Sequence, residues 1–212
     1  MNKFKLSFLL LIVVSFLTAL AYNKNEVIKS DNGYQTGDII FQTSKSTQSK
    51  AIQLATKSKY SHCGLIYKMG NKYFVYEAVG PVKLTPLENW IARGSENKFV
   101  VKRLINSAQI LTPVALKKLK QEGDKYNGKK YDISFEWSDD KIYCSELVWK
   151  MYKKATGIEI GKTQKLNEFD LTSTTVKEIM KKRYGKNVPL NEIVISPQSI
   201  FESNLLLTVA KN

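Results

Sequence analysis

The chain has 212 residues, a single histidine, two cysteines and a formal charge of +14. One histidine, with no C-x-x-C or H-x-x-x-H spacing, leaves little from which to build a metal centre, and phosphate-loop and dinucleotide fingerprints are absent. The positive charge suits anionic envelope polymers, anionic lipid or nucleic acid. The lysines are scattered and no aromatic-basic motif accompanies them, so the sequence predicts at most a loose attraction to envelope polymers and no nucleic-acid partner.

Lys3 and Lys5 precede the apolar run "LSFLLLIVVSFLTAL" (6–20), and Ala19-Leu20-Ala21 supplies small-x-small residues before Tyr22. This pattern reads as a secretory signal peptide over 1–21. The run falls short of the ~20 residues of a comfortable membrane span; an uncleaved anchor is the alternative. With no cysteine nearby, no lipid anchor is expected. The reading predicts export to the periplasm or beyond, with no stable membrane span after cleavage. Residues 22–212 retain 31 basic and 19 acidic side chains, a net +12, and suffice for one domain with its own core.

Along that domain, "TGDIIFQTS" (36–44) opens with a Gly-Asp turn and enters the strand Ile39-Ile40-Phe41. "STQSKAIQLATKS" (46–58) predicts a short helix capped by Ser46. "SHCGLIYK" (61–68) and "KYFVYEAV" (72–79) flank Met69-Gly70-Asn71 and predict a hairpin. "TPLENWIAR" (85–93) reads as a helical turn and "KFVVKRLI" (98–105) as a strand. "TPVALKKLKQEGDKY" (112–126) predicts a helix capped by Thr112, with Pro113 at its first position and Val114, Leu116 and Leu119 inward. "YCSELVWKMYKKAT" (143–156) predicts a second, burying Leu147, Val148, Met151 and Tyr152. "TSTTVKEIMKKRY" and "SPQSIFES" suggest two more. Helices flank the strands, so the class is α+β with an antiparallel sheet.

The chemistry concentrates at His62, Glu77 and Cys144. Alternation along a strand separates His62 from Cys63, so Cys63 reads as a small buried hydrophobe. A hairpin centred between 69 and 70 would set Glu77 directly opposite His62; a two-residue turn at Gly70-Asn71 would set it diagonally, on the same face. Either way a carboxylate can hold the imidazole in one tautomer. Cys144 falls where loop becomes helix, and unpaired N–H groups there favour a thiolate and can stabilise an oxyanion. Together these residues suggest a nucleophile, a base and an orienting acid.

The order His62, Glu77, then "YCSELVWK", resembles the circularly permuted papain-like cysteine amidohydrolases of the NlpC superfamily. "TGDIIFQTSKSTQSKAIQLATKSKYSH", "YEAVGPVKLTPLENWIA", "YDISFEWSDDKIYCSELVWK" and "EFDL" resemble its YiiX-like (YebB-like) branch across the mature chain. The resemblance implies a permuted papain-like fold, Cys144 as nucleophile, His62 as base, Glu77 as orienting residue and no cofactor or metal. It places Tyr143, Gly37 and Asp38, with Ser61 beside the histidine, in the substrate pocket. Lys130 stands where proline often precedes the tyrosine. The implied reaction is hydrolysis of an amide or peptide bond in cell-envelope material through a Cys thioester. A lipid amide or ester substrate, and a non-catalytic amino-acid- or peptide-binding domain, are the alternatives. A zinc site is disfavoured because adjacent His62 and Cys63 cannot both face one ion from a regular strand. A Cys63–Cys144 disulfide acting as a lock stays open.

Overall fold

Ile39 to Gln42 form β1, every residue buried, in a computed structural model that describes residues 33–212. The signal-peptide reading and its cleavage point lie outside the described residues. Ser46 caps α1 (Thr47–Thr56) by accepting from the Ser49 N–H at 3.0 Å, as a serine at that position should. The hairpin follows as β2 (His62–Met69) and β3 (Lys72–Ala78), then β4 (Val82–Pro86), α2 (Leu87–Ala92) and β5 (Val100–Leu104). The helices α3 (Ser107–Ile110), α4 (Pro113–Tyr126) and α5 (Cys144–Thr156) come next, then β6 (Gln164–Lys165), α6 (Thr174–Tyr184), β7 (Ile193–Val194), α7 (Pro197–Phe201) and β8 (Leu206–Lys211).

Six strands make one antiparallel sheet in the order β4-β3-β2-β1-β5-β8, and β6 pairs with β7 separately. β1 and β2 are therefore central, which explains their nearly continuous apolar runs. One sheet face carries Ile39, Phe41, Cys63, Leu65, Tyr76 and Ala78 into a core shared with Leu119 of α4 and Leu147, Val148 and Met151 of α5. The α5 stripe is as expected, with Leu147, Val148, Met151 and Tyr152 all fully buried.

Two local expectations differ from the structure, and the hairpin register is decided between its two alternatives. Val114 is 66 % exposed; α4 buries Ala115, Leu119, Glu122, Gly123 and Tyr126 instead, a stripe at i, i+4, i+7, i+8 and i+11 that starts one residue later. The strands β4 and β8 were not anticipated, because "VKLTP" and "LLTVAK" complete the sheet edges through pairing with β3 and β5 rather than through a local signal. In the hairpin, Met69 pairs with Lys72 and Leu65 with Tyr76. The turn is thus Gly70-Asn71, with Gly70 at φ 56, and Glu77 stands diagonal to His62 rather than directly opposite it.

Candidate active site

The site is assembled at one end of β2, where α5 begins. Tyr143 is extended at φ −106, ψ 168 and Cys144 is the first helical residue. The Glu146 carboxylate reaches back to accept from the Tyr143 N–H at 3.4 Å, a third-position contact that stabilises a helix start. A short parallel bridge between Tyr131 and Ile142 brings the preceding loop alongside. The Asp132 carboxylate accepts from the Ser134 and Glu136 N–H groups at 2.8 and 2.6 Å and orders that loop. Cys144 is left only 3 % exposed, at the end of a 13-residue helix whose dipole favours negative charge.

His62 is the first residue of β2, and its Nε2 donates to Glu77 Oε2 at 2.8 Å. Glu77 is fully buried and its other oxygen accepts from Thr85 Oγ1 at 2.5 Å and from the Arg93 guanidinium. Burial works against its charge, but the His62 hydrogen bond and charge, Thr85 and Arg93 together hold its pKa below the ordinary carboxylate value. Trp90 of α2, itself fully buried, stacks on the imidazole with ring centroids 5.7 Å apart. Gly64 makes this arrangement possible, because a Cβ there would lie 2.4 Å from Val75 Cγ1 and 2.7 Å from the Tyr76 carbonyl oxygen.

With Nε2 committed to Glu77, the other ring nitrogen serves Cys144, with which His62 interacts by hydrogen bond and by charge. Burial tends to lower the imidazole pKa, yet Cys144 and Glu77 raise it to about 9. The Cys144 thiol moves the opposite way, well below its ordinary value. The leading cause is a hydrogen bond from the Cys63 side chain; burial opposes it, and the charge of and hydrogen bond to His62 and the Cys63 backbone N–H add to it. Both shifts favour the thiolate and imidazolium forms of the pair. Cys63 does lie on the core face, as strand alternation requires, but it is not passive: its own pKa is pushed up by burial and by its contact with Cys144. Both cysteines are free thiols.

The residues assigned to the pocket from sequence divide. Tyr143 is buried with its hydroxyl accepting from the Ile195 N–H at 3.1 Å, and it lines an apolar cleft that also holds Cys144. Ser61 lines a second cleft with His62 and shares a 2.5 Å hydrogen bond with Ser49. Gly37 and Asp38 line neither cleft. They precede Ile39, which pairs with Leu65, whereas Gln42 pairs with His62, so strand rise alone sets them roughly 13 Å from the site end. Asp38 binds Arg103 through Nε and Nη2 at 2.7 and 2.8 Å, and the Gly37 carbonyl accepts from Tyr152. They anchor β1 to β5 and α5. Sequence reasoning missed Thr85, Trp90 and Arg93, whose segment reads only as a helical turn, and Gln48 and Tyr131, joined by a 2.8 Å hydrogen bond across 83 positions.

A helix-start cysteine facing a strand histidine backed by a carboxylate, on an antiparallel sheet, is the arrangement of papain-like cysteine hydrolases, here with the histidine strand before the cysteine helix. Residues 33–210 match the family described as "Permuted papain-like amidase enzyme, YaeF/YiiX, C92 family", and the chain belongs to that family. It is 55 % identical over 177 residues to the YiiX protein of Escherichia coli (strain K12), covering 84 % of this chain and 86 % of that one. The fold is similar to the crystal structure of YiiX from Escherichia coli O157:H7, at TM-score 0.79 and 54 % identity over 84 % of this chain and 97 % of that one; that protein is called a metalloprotein.

Proposed function

We propose that this protein is an exported thiol hydrolase that cleaves an amide bond in envelope material. The observation that supports it best is the His62–Cys144 pair, coupled by charge and held in place by Glu77. The Cys144 thiolate attacks the carbonyl carbon, and the negative charge passes to the carbonyl oxygen beside the N–H groups at the α5 start. As the C–N bond breaks, His62 gives its proton to the departing amine and the acyl group remains on Sγ as a thioester. His62 then takes a proton from water, which attacks the thioester and returns Cys144 as thiolate and His62 as imidazolium. Glu77 stays ionised throughout and keeps the ring aligned.

No step is routed through a metal, although one relative is called a metalloprotein. Among the described residues no three His, Cys, Asp or Glu side chains are grouped to hold an ion, and both oxygens of Glu77 are already taken. Cys144→Ala should lose labelling by iodoacetamide at neutral pH and all hydrolysis of muropeptide and lipid-amide pools, read by mass spectrometry. Hydrolysis persisting in that variant would sink the mechanism.

A further inference from the structure

The proposed reaction uses the thiol of Cys144 and leaves that of Cys63 idle, yet the two are in contact. The ladder between β2 and β3 ends at Leu65–Tyr76. Cys63, two residues beyond it, meets Cys144 at the start of α5 through both its thiol and its backbone N–H. Both side chains belong to one buried core, and both are free thiols. The chain has two cysteines, so within one molecule each is the other's sole possible disulfide partner.

The two thiols differ in access. Cys144 borders a cleft that is partly open to solvent, whereas Cys63 is fully buried and borders neither cleft beside the site. A small oxidant such as hydrogen peroxide therefore meets Cys144 first, and a thiolate is the form that it oxidises. Once Cys144 is oxidised, Cys63 already lies against it. A thiol held in place in this way acts at an effective concentration that no dissolved thiol reaches.

We propose that Cys63 is the resolving thiol of a peroxide-sensitive switch, which stores Cys144 as a Cys63–Cys144 disulfide and releases it on reduction. The Cys144 thiolate attacks one oxygen of hydrogen peroxide and the O–O bond breaks. The departing hydroxide takes the proton of the His62 imidazolium and leaves as water, so Cys144 becomes a sulfenic acid. The Cys63 sulfur then attacks Cys144 Sγ, the S–O bond breaks, and the Cys63 proton leaves with that hydroxide as a second water. The sulfur pair loses two electrons and one peroxide is reduced to two waters. A dithiol reductant cleaves the bridge by exchange and restores both thiols. Without Cys63 the sulfenic acid is open to further peroxide and proceeds to sulfinic and sulfonic acids, which a dithiol does not reduce. The switch rests on the thiol-hydrolase reading and supplies a regulation of that same site.

The test treats the reduced whole protein with a slight excess of hydrogen peroxide, then denatures it in N-ethylmaleimide and reads its intact mass. The expected product is a monomer lighter by two hydrogens that takes up no maleimide. Native protein treated in the same way should lose all iodoacetamide labelling of Cys144 and regain it in full with dithiothreitol. Cys63→Ser keeps an O–H beside Cys144, so it should instead gain oxygen as sulfinic and sulfonic acids and regain no labelling. Cys63→Ala should do the same, so the result does not hang on one variant folding. Oxygen added to Cys144 of the parent while Cys63 still takes maleimide would overturn the switch. So would a parent that keeps both thiols under peroxide while iodoacetamide still labels Cys144. A Cys144 that reacts with neither peroxide nor iodoacetamide would overturn the hydrolase reading as well.

Discussion

At the scale of single residues, Cys63 changes most on going from sequence to structure. Its place on the core face follows from strand alternation, yet that face is where the start of α5 packs, so its thiol meets Cys144. Removing the donor in Cys63→Ala should shift the acid limb of Cys144 alkylation to higher pH, whereas Cys63→Ser, which keeps an O–H, should leave it near that of the parent. Iodoacetamide labelling rates against pH measure this, and an unmoved limb in Cys63→Ala would reduce Cys63 to packing. The raised His62 value makes a second prediction. Its pKa of about 9 lies above the ordinary 6.5, so the imidazolium needed to protonate the leaving amine is present below that range and is lost as pH rises through about 9. Hydrolysis should fall there while alkylation, which needs only the thiolate, does not; parallel pH profiles of the two rates distinguish them.

At the scale of elements, the β2–β3 hairpin carries the geometry of the base. Both registers considered from sequence keep Glu77 on the His62 face, because a shift of two in the pairing sum preserves the faces. Only the structure selects the Gly70-Asn71 turn, which puts Gly64 opposite Glu77. Gly64→Ala would drive a Cβ into Val75 and the Tyr76 carbonyl, and a backbone atom cannot move aside as a flexible side chain can. A loss of about 1–3 kcal/mol is expected for such overpacking, seen in urea unfolding, together with a drop in activity as Glu77 is displaced from His62. Activity retained in a destabilised Gly64→Ala protein would show that the His62–Glu77 contact tolerates movement of β3. The helices were legible largely through their ends: Ser46, Thr112, Ser173 and Ser196 each accept a hydrogen bond from the first turn they precede. The edge strands β4 and β8 were not, since an edge strand owes its existence to the neighbour it pairs with.

At the scale of the whole molecule, the charge of +14 bears on encounter rather than on fold. Any association with anionic polysaccharide or anionic vesicles should be weak and should fade at physiological salt, where the screening length is about 8 Å; co-sedimentation across a salt series checks it, and binding that survives would point to a specific contact. The amino-acid sequence by itself determined the α+β class, the caps of α1 and α4, the buried stripe of α5, and the order in which His62, Glu77 and Cys144 occur. Those depend on local periodicity and on residue types that have few other uses: one histidine, and a cysteine at a helix start. Tertiary structure alone decided that Gly37 and Asp38 brace β1 through Arg103 and Tyr152, that Trp90 stacks on His62 and Arg93 holds Glu77, and that Tyr131 meets Gln48 across 83 positions. Such contacts join positions tens of residues apart, and no local pattern records which distant side chain a folded chain will bring within hydrogen-bonding reach. "KYSHCGLIYK" shows the division within ten residues: alternation separates His62 from Cys63, and the packing of α5 at the end of β2 then brings both to Cys144.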